Sequence, residues 1–562
     1  MVFVSPSRSA SRVNPVLRAR LWRPSLWSLL VLGIAALVVG PILALVWLAF
    51  NPTENIWPHL MDTVLPRYLT NTVLLSLGVA LLAGATGTLT GWLVAMYRFP
   101  GARWLEWALV FPLAIPAYVG AYALVDFLDY SGVVQVTLRE IFGWQSARDY
   151  WFPEVRTLGA AIVVISAALY PYVYFLARAA FREQSGGVYE VARTLGAGPF
   201  ERFWRVALPL ARPSIAAGMA IVMMEAVADF GVVEYFAVQT LTTGIFTTWL
   251  EMNNAGGAAQ LALVSLVLVF LLLGLERAGR RKSRFYQTAR QIRPSQPVRL
   301  RGAAGWTATI VCLVPFSVGF VLPVGVILDH AWHNLDGFYA PGLIRAAVNT
   351  VAVGGAAAVV TVIAALLLVY GVRLSRSTLP RKLLPFTTLG YAAPGAVLAV
   401  GILIPLAAFD NAMADGVLAL TGWDPGLVLT GTAFAMVYAF AVRFFAIAQG
   451  ATDSALGRVS PSLPMAARSL GRTARGTLTD VYLPLIRGSV GTALVLVFVD
   501  SVKELPATLL LRPFNFHTLS TRVYEKASLE QLGEASPAAL IVMLVGLIAV
   551  FVAAKGKTGG QS

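Results

Sequence analysis

The sequence predicts an all-α integral membrane protein of about twelve transmembrane helices, arranged as two halves that repeat in parallel. Three observations predict it. Apolar residues make up 57% of the 562 and charged residues 13%, against about 45–50% and about 25% in soluble domains. Twelve apolar stretches each approach the ~20 residues that a bilayer core demands of a helix. One polar loop pattern occurs twice, around Gly196 and again around Gly471, each time just before such a stretch.

Residues 1–24 carry Arg8, Arg12, Arg18, Arg20 and Arg23 among serines and prolines, and read as a cytoplasmic tail. The run 25–50 is too long for the apolar core of a signal peptide and lacks a small-residue cleavage site, so it reads as a retained first span. Further spans are expected near 70–96, 105–125, 158–180, 213–233, 257–276, 304–328, 346–371, 384–408, 427–449, 488–511 and 536–554. Pro112, Pro116, Pro394 and Pro405 inside them predict broken or kinked helices, tolerated where neighbouring protein re-satisfies the backbone. The chain then divides into a tail at 1–24, a first half at 25–276, a basic cytoplasmic linker at 277–302 and a second half at 303–562.

Charge sets the orientation. Of the 43 Lys and Arg, 34 lie at or beside alternate loops; the other nine are Arg67, Arg139, Arg148, Arg156, Arg345, Lys503, Arg512, Arg522 and Lys526. Positive residues are retained on the cytoplasmic side, which places both termini and both copies of the repeated loop there. The densest run, Arg277 to Arg301, joins the sixth and seventh spans and is expected to lie over anionic head groups. The net charge of +15 is thus a topology signal, not a nucleic-acid footprint. Cys312 is the single cysteine, so no disulfide framework forms within the chain. The four histidines are scattered, and neither HExxH nor GxxxxGK[ST] occurs. The chain is expected to bind no cofactor and to carry no ATP site of its own.

The repeated loop reads Glu190-Val-Ala192-Arg-Thr-Leu-Gly196 through Leu208-Pro209 in its first copy. The second copy reads Met465-Ala466-Ala467-Arg-Ser-Leu-Gly471 through Leu483-Pro484. A small-residue helix is broken by a glycine that permits a sharp reversal. A second helix follows, and Leu-Pro is expected to stop it. Asn71-Thr72-Val73 likewise matches Asn349-Thr350-Val351, and Pro116 matches Pro394 at the same offset as that pair. Each half has an even number of spans, so the repeat is parallel about an axis along the membrane normal.

These loops resemble the glutamate-alanine-alanine loop of the permeases of binding-protein-dependent type I ABC importers. In that family the loop is the coupling helix that docks on the ATPase. The resemblance implies ATPase-coupling roles for Glu190, Ala192, Gly196, Leu208, Pro209, Ala466, Ala467, Gly471, Leu483 and Pro484. It departs from the family pattern at Met465, which stands where an acid is expected. It also implies two ABC ATPase subunits that use ATP and Mg, a periplasmic binding protein, and an inner-membrane location.

Four acidic residues follow the loops. Glu225 and Asp229 lie in the fifth span; Asp500 and Glu504 lie in the eleventh, at the offset that separates Gly196 from Gly471. Spacing of i, i+4 is expected to place each pair on one helical face. Charges at such depth cost about 2.5–3.5 kcal/mol each, so they usually face a cavity or a partner. They are the candidates for a translocation path, and an oxygen-rich cluster suits a hard cation; a bracing role against Lys503 is the alternative. His330 and His333 stand at i, i+3 near a span end, a spacing that can hold metal, although interfacial histidines seldom do. Tyr170, Tyr172, Tyr174 and Tyr438 read as packing residues.

The stretch Lys503-Glu504-Leu505-Pro506-Ala507-Thr508, with Asp229-Phe230-Gly231 in the first half, looks like the ferric iron branch of these permeases, which implies ferric iron as substrate. Permeases for thiamine, phosphonate or polyamine share the architecture. A proton-driven secondary carrier is a second class, but it needs no docking loops. A membrane enzyme is a third, and no ligand or nucleophile constellation supports it.

Overall fold

The computed structural model describes residues 26–184, 186–281, 297–375 and 378–556. The tail at 1–24 and most of the expected linker therefore lie outside the described residues. In chain order the main helices are α1 (Leu26–Phe50), α2 (Leu65–Met96), α3 (Ala102–Ala108), α4 (Ala117–Leu128), α5 (Leu158–Glu183), α6 (Gly186–Thr194), α7 (Leu208–Ala228) and α8 (Ala255–Arg281). The later ones are α9 (Ala303–His333), α10 (Leu343–Leu374), α11 (Gly395–Thr421), α12 (Ala433–Arg443), α13 (Phe445–Gly457), α14 (Ser462–Ser469), α15 (Leu483–Lys503) and α16 (Leu532–Gly556). The only strands among the described residues are β1 (Tyr97–Arg98) and β2 (Val298–Arg299), which pair in parallel.

Ten helices are long and apolar enough to cross a membrane, and two bent pairs bring the count to 12. One pair, Ala102–Ala114 with Ala117–Phe142, turns by 96° at Pro116. The other, α12 with α13, bends by 50°. The expected twelve spans are therefore present, and the break predicted at Pro116 is where the chain turns. Helices suit a bilayer because each satisfies its own backbone. Large side chains such as Leu26, Leu81 and Ile344 stay exposed on the outside of the bundle.

Three boundaries differ from the sequence reading. The span expected at 384–408 is the helix α11, which begins after Pro394 and continues to Thr421. Asp410, just past the expected end, is fully buried, and its carboxylate accepts from the backbone N–H groups of Leu429 and Thr430 and from the Thr430 hydroxyl. The spans expected at 213–233 and 488–511 both end early, at Ala228 and Lys503, where the chain becomes extended.

Each half has a core of three helices: α2 packs with α5 and α7, and α10 packs with α13 and α15. The first helix of each half crosses to the other. Helix α1 lies on α10 and α11 of the second half as well as on α8 of its own, and the second part of α9 lies on α4 of the first half as well as on α16 of its own. Glycines permit this contact: a Cβ at Gly401 would stand 2.3 Å from the Pro41 carbonyl oxygen, and one at Gly319 would stand 2.4 Å from that of Ala167. Small residues allow such backbone approach between membrane helices.

The repeated Asn-Thr pairs have a structural role. The Asn71 side chain donates to the Gln239 carbonyl (2.8 Å), and the Thr72 hydroxyl accepts from the Leu241 N–H (2.9 Å). Asn349 and Thr350 make the matching bonds to His517 and Leu519 at 2.9 and 2.8 Å. Both turns so held then enter a Thr capping box, at Thr240 and at Thr518.

Candidate functional site

Both repeated loops fold the same way. Helix α6 ends at Thr194, and Gly196 follows at φ +84°; helix α14 ends at Ser469, and Gly471 follows at φ +81°. The Ala197 N–H returns to the Ala192 carbonyl, and the Arg472 N–H to the Ala467 carbonyl, both at 3.0 Å. This is a Schellman closure, which needs a left-handed residue between the two bonded turns. Glu190, Met465 and Ala466 are exposed, whereas Ala467 is buried.

Leu-Pro does not stop the second helix of either loop. A π-helical turn at Phe203–Ala207 runs straight into α7, and one at Leu478–Tyr482 runs straight into α15. Pro209 and Pro484 sit in the first turn after it. The wider turn takes up a missing N–H and the bulk of the ring, which an unbroken α-helix cannot. Each loop is thereby continuous with a long apolar helix.

The four acidic residues line one cavity of about 170 Å³ between the halves. Tyr172, Tyr391, Arg443 and Lys503 line it too, with the turns after Pro116 and Leu505. The expected shared helical face is not what brings them together. Asp229 and Glu504 are the first extended residues after α7 and α15, at ψ 133° and 126°. Each carboxylate folds forward onto the next short helix. Asp229 accepts from the Val232 N–H at 2.9 Å. Glu504 accepts from the N–H groups of Ala507 (2.9 Å) and Thr508 (3.0 Å) and from the Thr508 hydroxyl (2.9 Å), and Arg443 pairs with it at 3.2 Å.

Glu225 and Asp500 differ from these two. No hydrogen bond or ion pair to a described residue reaches either carboxylate, and both are half-buried at the cavity wall. The quartet thus divides into two capping groups and two that face the opening. The cations are one-sided. Arg443 and Lys503 belong to the second half; the equivalent positions of the first half hold Ala168 and Ala228, which line the same cavity. Lys503 donates to the Leu113 carbonyl of the first half at 2.6 Å. Arg443, grouped in the sequence with the loop arginines, is drawn into the membrane by Glu504.

Residues 87–284, which include the first loop, Glu225 and Asp229, match the family described as the binding-protein-dependent transport system inner membrane component. An Fe(3+)-transport system permease protein of Haemophilus influenzae is 26% identical over 496 residues, 87% of this chain and 89% of that one. A ferric transport system permease protein of Actinobacillus pleuropneumoniae is 23% identical over 557 residues, 93% of this chain and 77% of its own.

Residues 87–284 carry a permease domain of the binding-protein-dependent importers, and most of the chain is similar to their ferric members.

A molybdenum transport system permease protein of Escherichia coli matches 37% of this chain with 96% of its own length, at 27% identity. One whole permease of that size thus corresponds to a little more than a third of this one.

Several of the permease's site residues escape the sequence reading. Residue type groups Tyr172 with the packing tyrosines; Tyr170 and Tyr174 are fully buried, and Tyr438 bonds the Leu37 carbonyl, but Tyr172 faces the cavity. Leu195 and Leu470 are 81% and 85% exposed at the loop tips. Their matching places in the repeated loop are the available signal. His330 pairs with Asp126 at 2.9 Å while His333 bonds the Asp329 carbonyl, so the two do not converge. No group of three or more His, Cys, Asp or Glu among the described residues is placed to hold a metal ion, and the four cavity carboxylates are not gathered into a chelating set.

Proposed function

We propose that this permease carries ferric iron across the inner membrane, received from a periplasmic binding protein and driven by two ATPase subunits docked under the two loops. The observation that carries the substrate is the cavity: four carboxylates against two cations leave an acidic excess between the halves. The relatives named for iron extend over most of the chain, which supports the same reading. That excess disfavours an oxyanion such as sulfate.

In this reading the loops and both termini face the cytoplasm, as the positive charge predicts. ATP and Mg are bound by the partner ATPases, and the permease binds no cofactor of its own. ATP-driven closure of the ATPases moves the loops together. The π-turns pass that motion to α7 and α15, whose ends carry Glu225, Asp229, Asp500 and Glu504. The cavity then opens outward, and hydrolysis resets it, a rocking of one half against the other. Glu225 and Asp500 are the path carboxylates; Asp229 and Glu504 hold the turns that frame it.

The reading is tested by ATP hydrolysis in the reconstituted complex. Ferric-loaded binding protein should raise the rate several-fold, and binding protein presented with sulfate, thiamine or a polyamine should not. Equal stimulation by iron-free binding protein would remove iron from the account.

A further inference from the structure

The strand pair of the permease joins two segments far apart in the chain and places like charges side by side. β1 and β2 pair so that Arg98 stands opposite Arg299. The Leu300 N–H donates to the Arg98 carbonyl at 2.9 Å, and the Thr309 hydroxyl donates to the Pro100 carbonyl at 2.8 Å. This frame surrounds a recess of about 810 Å³ lined by Arg98, Arg103, Arg299 and Arg301 together with Trp104. No acidic residue lines it, and none of the four guanidinium groups has a carboxylate partner among the described residues. Like charges set opposite each other on paired strands are destabilising. Elsewhere at this end of the bundle arginines do find partners: Arg178 and Arg182 both pair with Glu106.

The recess lies where apolar spans end. It follows α2 and precedes α9; Trp104 in its wall, and Trp107 and Trp306 a few residues along the chain from it, are 53%, 45% and 61% exposed. Exposed tryptophans at span ends mark the level of the lipid head groups. An arginine fork matches phosphate oxygens two at a time.

We propose that this recess binds the phosphate head group of an anionic phospholipid, with the four arginines around the phosphate and Trp104 beside the glycerol. The lipid would supply the negative charge that the strand pair lacks. It would also sit against the first coupling loop. Helix α3 is tied to the end of α5 through Glu106, and Trp92, in the last turns of α2 before β1, packs on Phe203 of the π-turn with ring centroids 4.7 Å apart. Which leaflet donates the lipid rests on the cytoplasmic placement of the loops; binding itself does not.

The full-length permease, purified in detergent and stripped of lipid, is titrated with phosphatidylglycerol and with phosphatidylcholine, and bound lipid is counted by native mass spectrometry. One phosphatidylglycerol should bind in strong preference to phosphatidylcholine. Arg98→Gln, Arg299→Gln and Arg301→Gln should each weaken it about fivefold, and the triple variant about a hundredfold, from the ~1 kcal/mol that each basic side chain contributes at an anionic surface. The paired control is Arg381→Gln with Lys382→Gln, exposed basic residues of the second half that lie outside the recess; it should leave the affinity unchanged. Equal weakening by the control, or none in the triple variant, overturns the site in favour of diffuse attraction. Displacement of the lipid by an equal concentration of inorganic phosphate would make it a soluble-anion site and overturn the lipid assignment. Should the triple variant not fold, wild-type tryptophan emission decides: brominated phosphatidylglycerol quenches it more than brominated phosphatidylcholine at equal mole fraction, and equal quenching contradicts the proposal.

Discussion

Glu225 and Glu504 are the same side chain at one cavity, and they differ in what holds them. Glu504 is almost fully enclosed, with Arg443 and three donors on its carboxylate. Breaking a buried ion pair by removing one charge costs about 3–5 kcal/mol, because the partner is left uncompensated. Glu504→Gln should therefore lower the melting temperature of the purified permease markedly, while Glu225→Gln leaves it near wild type. Equal melting temperatures would remove the division into capping and open carboxylates. The offset shared with the loop glycines makes all four acids legible in the sequence. Their division is not, because it depends on the chain leaving the helix at Asp229 and Glu504, which an i, i+4 reading takes as continuous.

At the scale of the element, the two repeated loops are legible almost completely from sequence. The glycine positions, the preceding small-residue helix and the start of the second helix all stand where the repeat places them. The Leu-Pro step misleads because proline usually ends a helix, and the π-turn that accommodates it has no signature in residue type. Gly196 and Gly471 have left-handed φ, and nothing lies within 4 Å of a Cβ built on either. A substitution there acts through the backbone alone, at roughly 1–2 kcal/mol for a residue that resists that region. Gly196→Val and Gly471→Val should reach the membrane normally yet capture less ATPase in co-purification, and Gly196→Asn, which tolerates the conformation, should recover it. Because Met465 stands where the first loop has Glu190, Glu190→Ala should reduce capture more than Met465→Ala does. Equal capture by all of these variants would separate the loops from docking.

The whole molecule is two repeats whose first helices each reach across to the other repeat. Hydropathy anticipates the ten to twelve candidate spans, but it carries no information on which half a span packs against. That is settled by close backbone approach, at Gly401 on Pro41 and at Gly319 on Ala167. Gly401→Val should cost about 1–3 kcal/mol by overpacking, seen as a lower melting temperature, whereas the same change at Gly416, where a Cβ meets nothing within 4 Å, should cost far less. The cavity is lined by residues of both halves. The one-sided cations fit that arrangement: Lys503 reaches across to Leu113 of the other half, and the acidic excess is left on the first half, around Glu225. The central claim, that iron passes between the halves along the two open carboxylates, is tested most directly by uptake of radioactive iron into vesicles holding the permease, its ATPases and its binding protein. The double variant Glu225→Gln with Asp500→Asn should slow uptake at least tenfold while ATP hydrolysis and melting temperature stay near wild type; wild-type uptake in that variant would contradict the account.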